Sequence, residues 1–266
     1  MKVTLGFSPC PNDTFMFHAL LHDAIPTEGL QYGTRIEDVE TLNQMAFNGD
    51  LDITKLSYHA YLKLRDKYTL LRAGSALGFG CGPLVIARQP LTEDQLLNGR
   101  IAVPGENTTA HMLFRLRYPD AMDKQFVMFS DIEPMVASGE VDAGVIIHEN
   151  RFTYEQRGLV KITDLGEYWE QETNSPIPLG AIVARRDLGQ EVIEKVQSQI
   201  SASVQYAFDH PDASAEYVKQ YAAEMDPEVM RRHIETYVNS YSVDFGDDGM
   251  RAIENLERRA REAGII

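Results

Sequence analysis

The chain has 266 residues, 44% of them hydrophobic, and sets 40 acidic against 25 basic side chains for a formal charge of −15. A chain of this kind can bury a core and is long enough for two modest domains or one large one, while its negative field disfavours nucleic acid and anionic membrane surfaces as partners. No run approaches the roughly 18 apolar residues of a membrane span, and Met1 to Phe7 leads into a strand-like pattern without the regions of a signal peptide, so the expected compartment is the cytoplasm.

In chain order, residues 2–8, 30–36 and 51–56 read as extended, and 14–21, 39–48 and 58–67 as helical, the alternation of an α/β sheet with covering helices. From Gly189 onward the pattern is helical only, with 191–208, 213–224, 227–240 and 248–263 as candidates. Asp212, Asp226 and either Asp247 or Asp248 are expected caps there, and Pro227 suits a first turn.

Two internal echoes organise the rest. Asn48-Gly49-Asp50-Leu51-Asp52-Ile53 is repeated as Ser138-Gly139-Glu140-Val141-Asp142-Ala143, each copy between a helix and a short apolar strand. Ser57 and His148 then fall near corresponding strand ends. Gly82-Pro83-Leu84-Val85-Ile86-Ala87-Arg88 is echoed by Pro178-Leu179-Gly180-Ala181-Ile182-Val183-Ala184-Arg185, as expected of two strands that carry a chain into a second lobe and back. Together they predict residues 1–86 with 184–266 as one lobe and 87–183 as an inserted second, with a cleft and a hinge.

Ligands of open α/β sheets sit beyond the carboxyl ends of strands, at helix N-termini whose amides lack intrahelical acceptors. Three polar junctions fit: Ser8 to Thr14, Lys55-Leu56-Ser57, and Pro104 to Ala110. Ser8, Asn12, Lys55, Leu56, Ser57, Thr108, Thr109 and Ala110 are the candidate contacts for a small anion, with Lys55 adding a full charge. The alternative for Ser57, Thr108 and Thr109 is plain helix capping.

His148 emerges from the apolar run Gly144 to Ile147, where an imidazole can accept a proton near neutral pH, and Glu149 or a carbonyl could orient it. Cys10 is the competing nucleophile. His59 and His111 read as capping or core residues. Trp169 belongs to a stretch that either covers the cleft or anchors the core. Gly78 to Pro83 lacks a dinucleotide fingerprint, and no P-loop occurs. Cys10 and Cys81 lack metal or redox spacing, and His18 and His22 lack a zincin's intervening acid, so no metal is expected.

Ser8-Pro-Cys-Pro-Asn-Asp-Thr-Phe15, Lys55-Leu-Ser-Tyr-His-Ala60, Gly80-Cys-Gly-Pro83, Asn107-Thr-Thr-Ala110 and Ile147-His-Glu149 together resemble, over the whole chain, the ordered motifs of the 1,4-dihydroxy-6-naphthoate synthase family of menaquinone biosynthesis. The resemblance implies a two-lobed type II periplasmic-binding-protein-like α/β fold with two crossover strands and a helical C-terminal region. It also implies cleavage of cyclic dehypoxanthinyl futalosine into 1,4-dihydroxy-6-naphthoate and dihydroxyacetone, without a cofactor. His148 would occupy the position of the proton acceptor, and Lys55, Leu56, Ser57, Thr109 and Ala110 those of substrate contacts, with Thr108 as a neighbour in register. The rival readings are a chorismate dehydratase of the same fold and a non-catalytic solute-binding protein.

Overall fold

The computed structural model describes residues 1–222 and 226–266. The chain divides into two compact units, Met1–Gly78 with Pro178–Arg251 and Phe79–Ile177 with Ala252–Ile266.

The first pass builds β1 (Lys2–Phe7), α1 (Pro11–Leu21), β2 (Gln31–Ile36), α2 (Val39–Asn48), β3 (Ile53–Ser57), α3 (Tyr58–Leu64), β4 (Tyr68–Leu70) and β5 (Ala76–Gly78). Helix α1 starts three residues before the expected position because Pro11 takes N1, where a missing N–H removes no helical bond. Asn12 and Asp13 therefore lie in its first turn, not in a loop. Asp38 accepts from the amides of Glu40 (2.9 Å) and Thr41 (3.3 Å) to start α2, and Gly49 at φ 81° ends it.

The chain then forms β6 (Leu84–Ala87), α4 (Glu93–Leu97), β7 (Ile101–Val103), α5 (Thr109–Arg117), β8 (Lys124–Phe126), α6 (Phe129–Ser138), β9 (Ala143–Ile146), α7 (Asn150–Thr153), β10 (Val160–Asp164) and α8 (Leu165–Thr173). It returns to the first unit through β11 (Ile177–Arg185), followed by α9 (Gln190–Asp209), α10 (Ala215–Tyr221), α11 (Pro227–Tyr237), α12 (Ser240–Val243) and α13 (Gly246–Glu262).

The first sheet has the order β2-β1-β3-β11-β4, with β5 also on β11, and the second the order β10-β6-β9-β7-β8. In the first, β1 pairs in parallel with β3, Leu5 opposite Ile53, and β11 runs antiparallel to β3, Ala184 opposite Ile53. In the second, β7 pairs in parallel with β9, Ile101 opposite Ala143, and β6 runs antiparallel to β9, Ala87 opposite Ala143. The two sequence echoes thus mark one repeated arrangement in the same register. The repeated aspartates do matching work: Asp52 accepts from the Thr4 amide on β1 (2.8 Å), and Asp142 from the Arg100 amide just before β7 (2.8 Å).

The chain passes between units at 78/79 and 177/178, ahead of the expected 86/87 and 183/184, because each echoed strand lies wholly in the sheet it enters. Residues 252–266 fall in the second unit, whereas the sequence reading assigned them to the first.

Helix α1 is buried nearly all round, with Phe15, Met16, Phe17 and Leu20 in a core shared with β1, β11 and α9. Leu84, Ile86, Ile132, Val136 and Ile146 centre the second core.

The C-terminal pattern is corrected in detail. Asp212 lies inside a 3-10 turn, Pro211–Ser214, which precedes α10, and the last two positions of the helix expected over 213–224 lie outside the described residues. Asp226 caps α11 as expected, but the helix expected to run to 240 stops at Tyr237, and Asn239 starts the separate α12 with a capping box. Asp247 and Asp248 lie within α13; the carboxylate that accepts from the Gly246 amide is that of Asp244 (2.7 Å).

Candidate functional site

In the first unit the junctions after β1 and β3 meet on one buried carboxylate. Asp13, fully buried, accepts from the Ser8 amide (3.0 Å) and hydroxyl (2.7 Å), the Asn12 amide group (2.9 Å) and the Lys55 ammonium. Asn12 Oδ1 in turn accepts from Nε2 of the buried His233 (3.0 Å), which makes that ring nitrogen the donor. Lys55 was expected to bring a full charge to an anion. Its charge is instead neutralised by Asp13, as burial of both groups requires. Gly180 lies opposite Ser57 on β11, and a Cβ there would come within 2.7 Å of Lys55 Cε, so glycine leaves the lysine its path.

Ser57 occupies the N-cap of α3 yet makes no capping bond with its side chain. Its amide donates to Asn43 Oδ1 (3.0 Å), and Asn43 Nδ2 donates to its hydroxyl (3.2 Å). The hydroxyl oxygen is thereby occupied as an acceptor for Asn43 and does not cap the helix. Leu56 is buried between them in the strand.

In the second unit the junction after β7 turns at Gly105, φ 101°, and enters α5. Thr108 does cap: its hydroxyl accepts from the His111 amide (3.2 Å) and donates to the Gly105 carbonyl (3.1 Å). Thr109 and Ala110 are buried in the first turn, where amides point out of the helix end.

His148 follows β9 in the left-handed region at φ 57°, a backbone state that a non-glycine residue adopts only under local compulsion. Its half-buried ring meets the edge of Phe129, centroids 5.0 Å apart. The turn closes through the Arg151 amide to the His148 carbonyl (3.3 Å) and the Phe152 amide to Glu149 (2.8 Å). Arg151 then donates to the Gly82 carbonyl (2.5 Å) and to Asp164 (2.7 Å).

Asp13 and Asn43 were not among the sequence candidates. Asn43 carried a signal: in α2 it shares the Val39, Leu42, Ala46 spacing of the apolar stripe, where an unpaired amide is costly. Asp13 carried none beyond its place in the Ser8 to Phe15 string.

The remaining candidates sort by burial. The thiol of Cys81 is pushed up to about 12 by burial, which removes it as a nucleophile at neutral pH. Cys10 is buried at the N-cap of α1. His111 is buried, with Nδ1 on the Glu106 carbonyl (2.8 Å), and burial, the larger cause, lowers its pKa against that bond. His59 is buried within α3. Trp169 sits in a helix, 1% exposed, its Nε1 donating to the Pro176 carbonyl (3.1 Å), and so is an anchor. His18 on α1 and His22 at its C-cap stack at 4.4 Å.

Two units that repeat one parallel sheet with an antiparallel insertion, followed by a helical C-terminal region, define the periplasmic-binding-protein-like class. The alkanesulfonate-binding protein SsuA from Xanthomonas axonopodis pv. citri superposes with a TM-score of 0.74 at 14% identity, over 99% of this chain and 93% of that one. A solved protein from Archaeoglobus fulgidus gives 0.94 at 37% identity, over 100% and 98%.

Within that class the chain belongs to the menaquinone-biosynthesis family, whose model matches residues 3–262. It is 50% identical to a 1,4-dihydroxy-6-naphthoate synthase of Thermus thermophilus and 46% identical to one of Streptomyces coelicolor, over 98% of this chain and 94% of each relative.

Proposed function

We propose that this enzyme is a carbon–carbon lyase that converts cyclic dehypoxanthinyl futalosine to 1,4-dihydroxy-6-naphthoate and dihydroxyacetone, with His148 as general base. The observation that carries the activity is the 50% identity to a 1,4-dihydroxy-6-naphthoate synthase across nearly the full length of both chains. The role of His148 rests on its position after a buried strand, in a turn that holds a half-buried imidazole in a fixed backbone state. The neutral imidazole takes a substrate hydroxyl proton; the O–H electrons form the carbonyl of the leaving three-carbon fragment. The adjacent carbon–carbon bond breaks, and its electron pair passes into the ring system, whose aromatisation drives the step. A proton then returns to the product, so no oxidant is consumed.

Substrate contacts are assigned to Ser8, Asn12, Lys55, Leu56 and Ser57, and to Thr108, Thr109 and Ala110. Because Lys55 is paired with Asp13, the donors offered to an anion are neutral: in the first unit the Ser57 hydroxyl, and in the second the Ala110 amide at the positive end of α5. The Thr108 hydroxyl also caps α5 and so shapes the turn.

Purified protein incubated with cyclic dehypoxanthinyl futalosine should yield the naphthoate by mass spectrometry. His148→Ala, folded and still binding substrate, should lose about 10²- to 10⁴-fold in kcat, the ordinary worth of a positioned base. Turnover at the parent rate would remove His148 from that role. Absence of product from intact substrate would leave small-anion binding without chemistry.

A further inference from the structure

The left-handed turn at His148 is held by a clamp that no part of the chemistry above uses. Arg151 reaches back with its backbone amide to the His148 carbonyl (3.3 Å) and forward with its guanidinium to two separate elements. One Nη donates to the carbonyl of Gly82, in the loop before β6 (2.5 Å), the other to Asp164 Oδ2 at the end of β10 (2.7 Å). The ion pair is shielded, the side chains being 16% and 2% exposed. Asp164 is itself immobilised, because its other oxygen accepts from the amides of Gly166 (2.8 Å) and Glu167 (3.1 Å) to start α8.

The two acceptors are also fixed to each other. Leu165 donates to the Pro83 carbonyl (2.9 Å), and a Cβ on Gly82 would lie 2.3 Å from Gly166 Cα, so the backbones touch there with no room for a side chain. A planar fork satisfied by two immobile acceptors has one orientation. A residue at positive φ persists only where its surroundings over-determine it.

We propose that Arg151 is a positioning residue for His148: paired with Asp164 and bonded to Gly82, it holds the left-handed turn and so aims the imidazole. The inference rests on His148 being the general base. The orientation of that ring is a kinetic matter, since a misplacement near 1 Å can cost about 10²-fold in rate.

The test compares Arg151→Lys, Arg151→Met, His148→Ala and the double Arg151→Met/His148→Ala. Far-UV circular dichroism checks the fold, and steady-state kinetics follows the naphthoate. Arg151→Met is expected to lower kcat by about 10- to 100-fold with KM moved less than about twofold. Arg151→Lys, which keeps the charge but not the fork, should fall between it and the parent. In the double variant the loss should be no larger than that of His148→Ala alone, because a misaimed base and an absent base fail alike.

A folded Arg151→Lys or Arg151→Met with parent kcat would overturn the proposal. So would losses that multiply in the double variant, which would make Arg151 act independently while leaving His148 as the base. If His148→Ala alone keeps the parent rate, the general-base reading fails first, and this inference with it. If Arg151→Met does not fold, the Lys variant decides, its kcat falling below or matching the parent.

Discussion

Asp13 has no exposed surface, yet it is a carboxylate that meets an ammonium, a hydroxyl and two N–H donors. Such a charge is tolerable only while its partners stay in place, and Lys55 supplies the compensating charge. Lys55→Met should therefore destabilise the protein by about 3–5 kcal/mol in urea unfolding, and adding Asp13→Asn should recover most of that. A loss below about 1 kcal/mol for the single change would mean that water reaches the carboxylate. Nothing in the string Ser8 to Phe15 announces this role. An aspartate in a first helical turn reads equally well as a favourable partner of the helix dipole. Asn43 was legible in principle, as a polar residue on an apolar stripe, and Glu133 occupies the matching position in α6, after Phe129 and Ile132 and before Val136. Glu133 is 2% exposed, and burial raises its pKa above the ordinary carboxylate range.

Helices α2 and α6 are each ten residues long and each end on a left-handed glycine, Gly49 at 81° and Gly139 at 83°. Their ends were readable because a glycine stop is a local signal whose physics does not depend on the rest of the chain. Arg185 extends the likeness: it donates to the Gly49 carbonyl (3.1 Å), while Arg88 lies so close over Gly139 that a Cβ would meet its Nη1 at 1.7 Å. Where local signals compete, the reading slips. Pro9-Cys10-Pro11 reads as loop, yet Pro11 opens α1, and Glu167 to Glu170 reads equally as a cover or an anchor, of which the inward-turned Trp169 on α8 takes the second. At this scale Gly82→Ala is the informative change. The added methyl has to push apart the backbones of the β6 approach and of α8, so a loss of about 1–3 kcal/mol is expected. An unchanged thermal midpoint would show that the two segments can separate without penalty.

Across the whole molecule, the first unit is completed only when the chain returns as β11, which lies inside its sheet between β3 and β4 and also carries β5. A fragment ending at residue 177 should therefore leave β3 with an open edge, show no slow amide exchange over residues 2–7 and 53–57, and regain it on co-expression with residues 178–266. Protection in the fragment alone would mean that β11 is dispensable. What the sequence by itself determined is the local and periodic part: the alternation of strands and helices, the two echoes with their glycine stops, the helical C-terminal region and the string that marks the family. The tertiary structure alone decided that Lys55 answers Asp13, that Ser57 is held by Asn43 while Thr108 caps, and that Arg151 fastens the turn at His148. Those pairings join residues between 3 and 69 positions apart, as with Arg151 to His148 and Arg151 to Gly82, and the longest of them exist only once distant elements lie side by side. A period of two or of 3.6 specifies which face of an element is buried, but not which buried polar group on one element meets which on another.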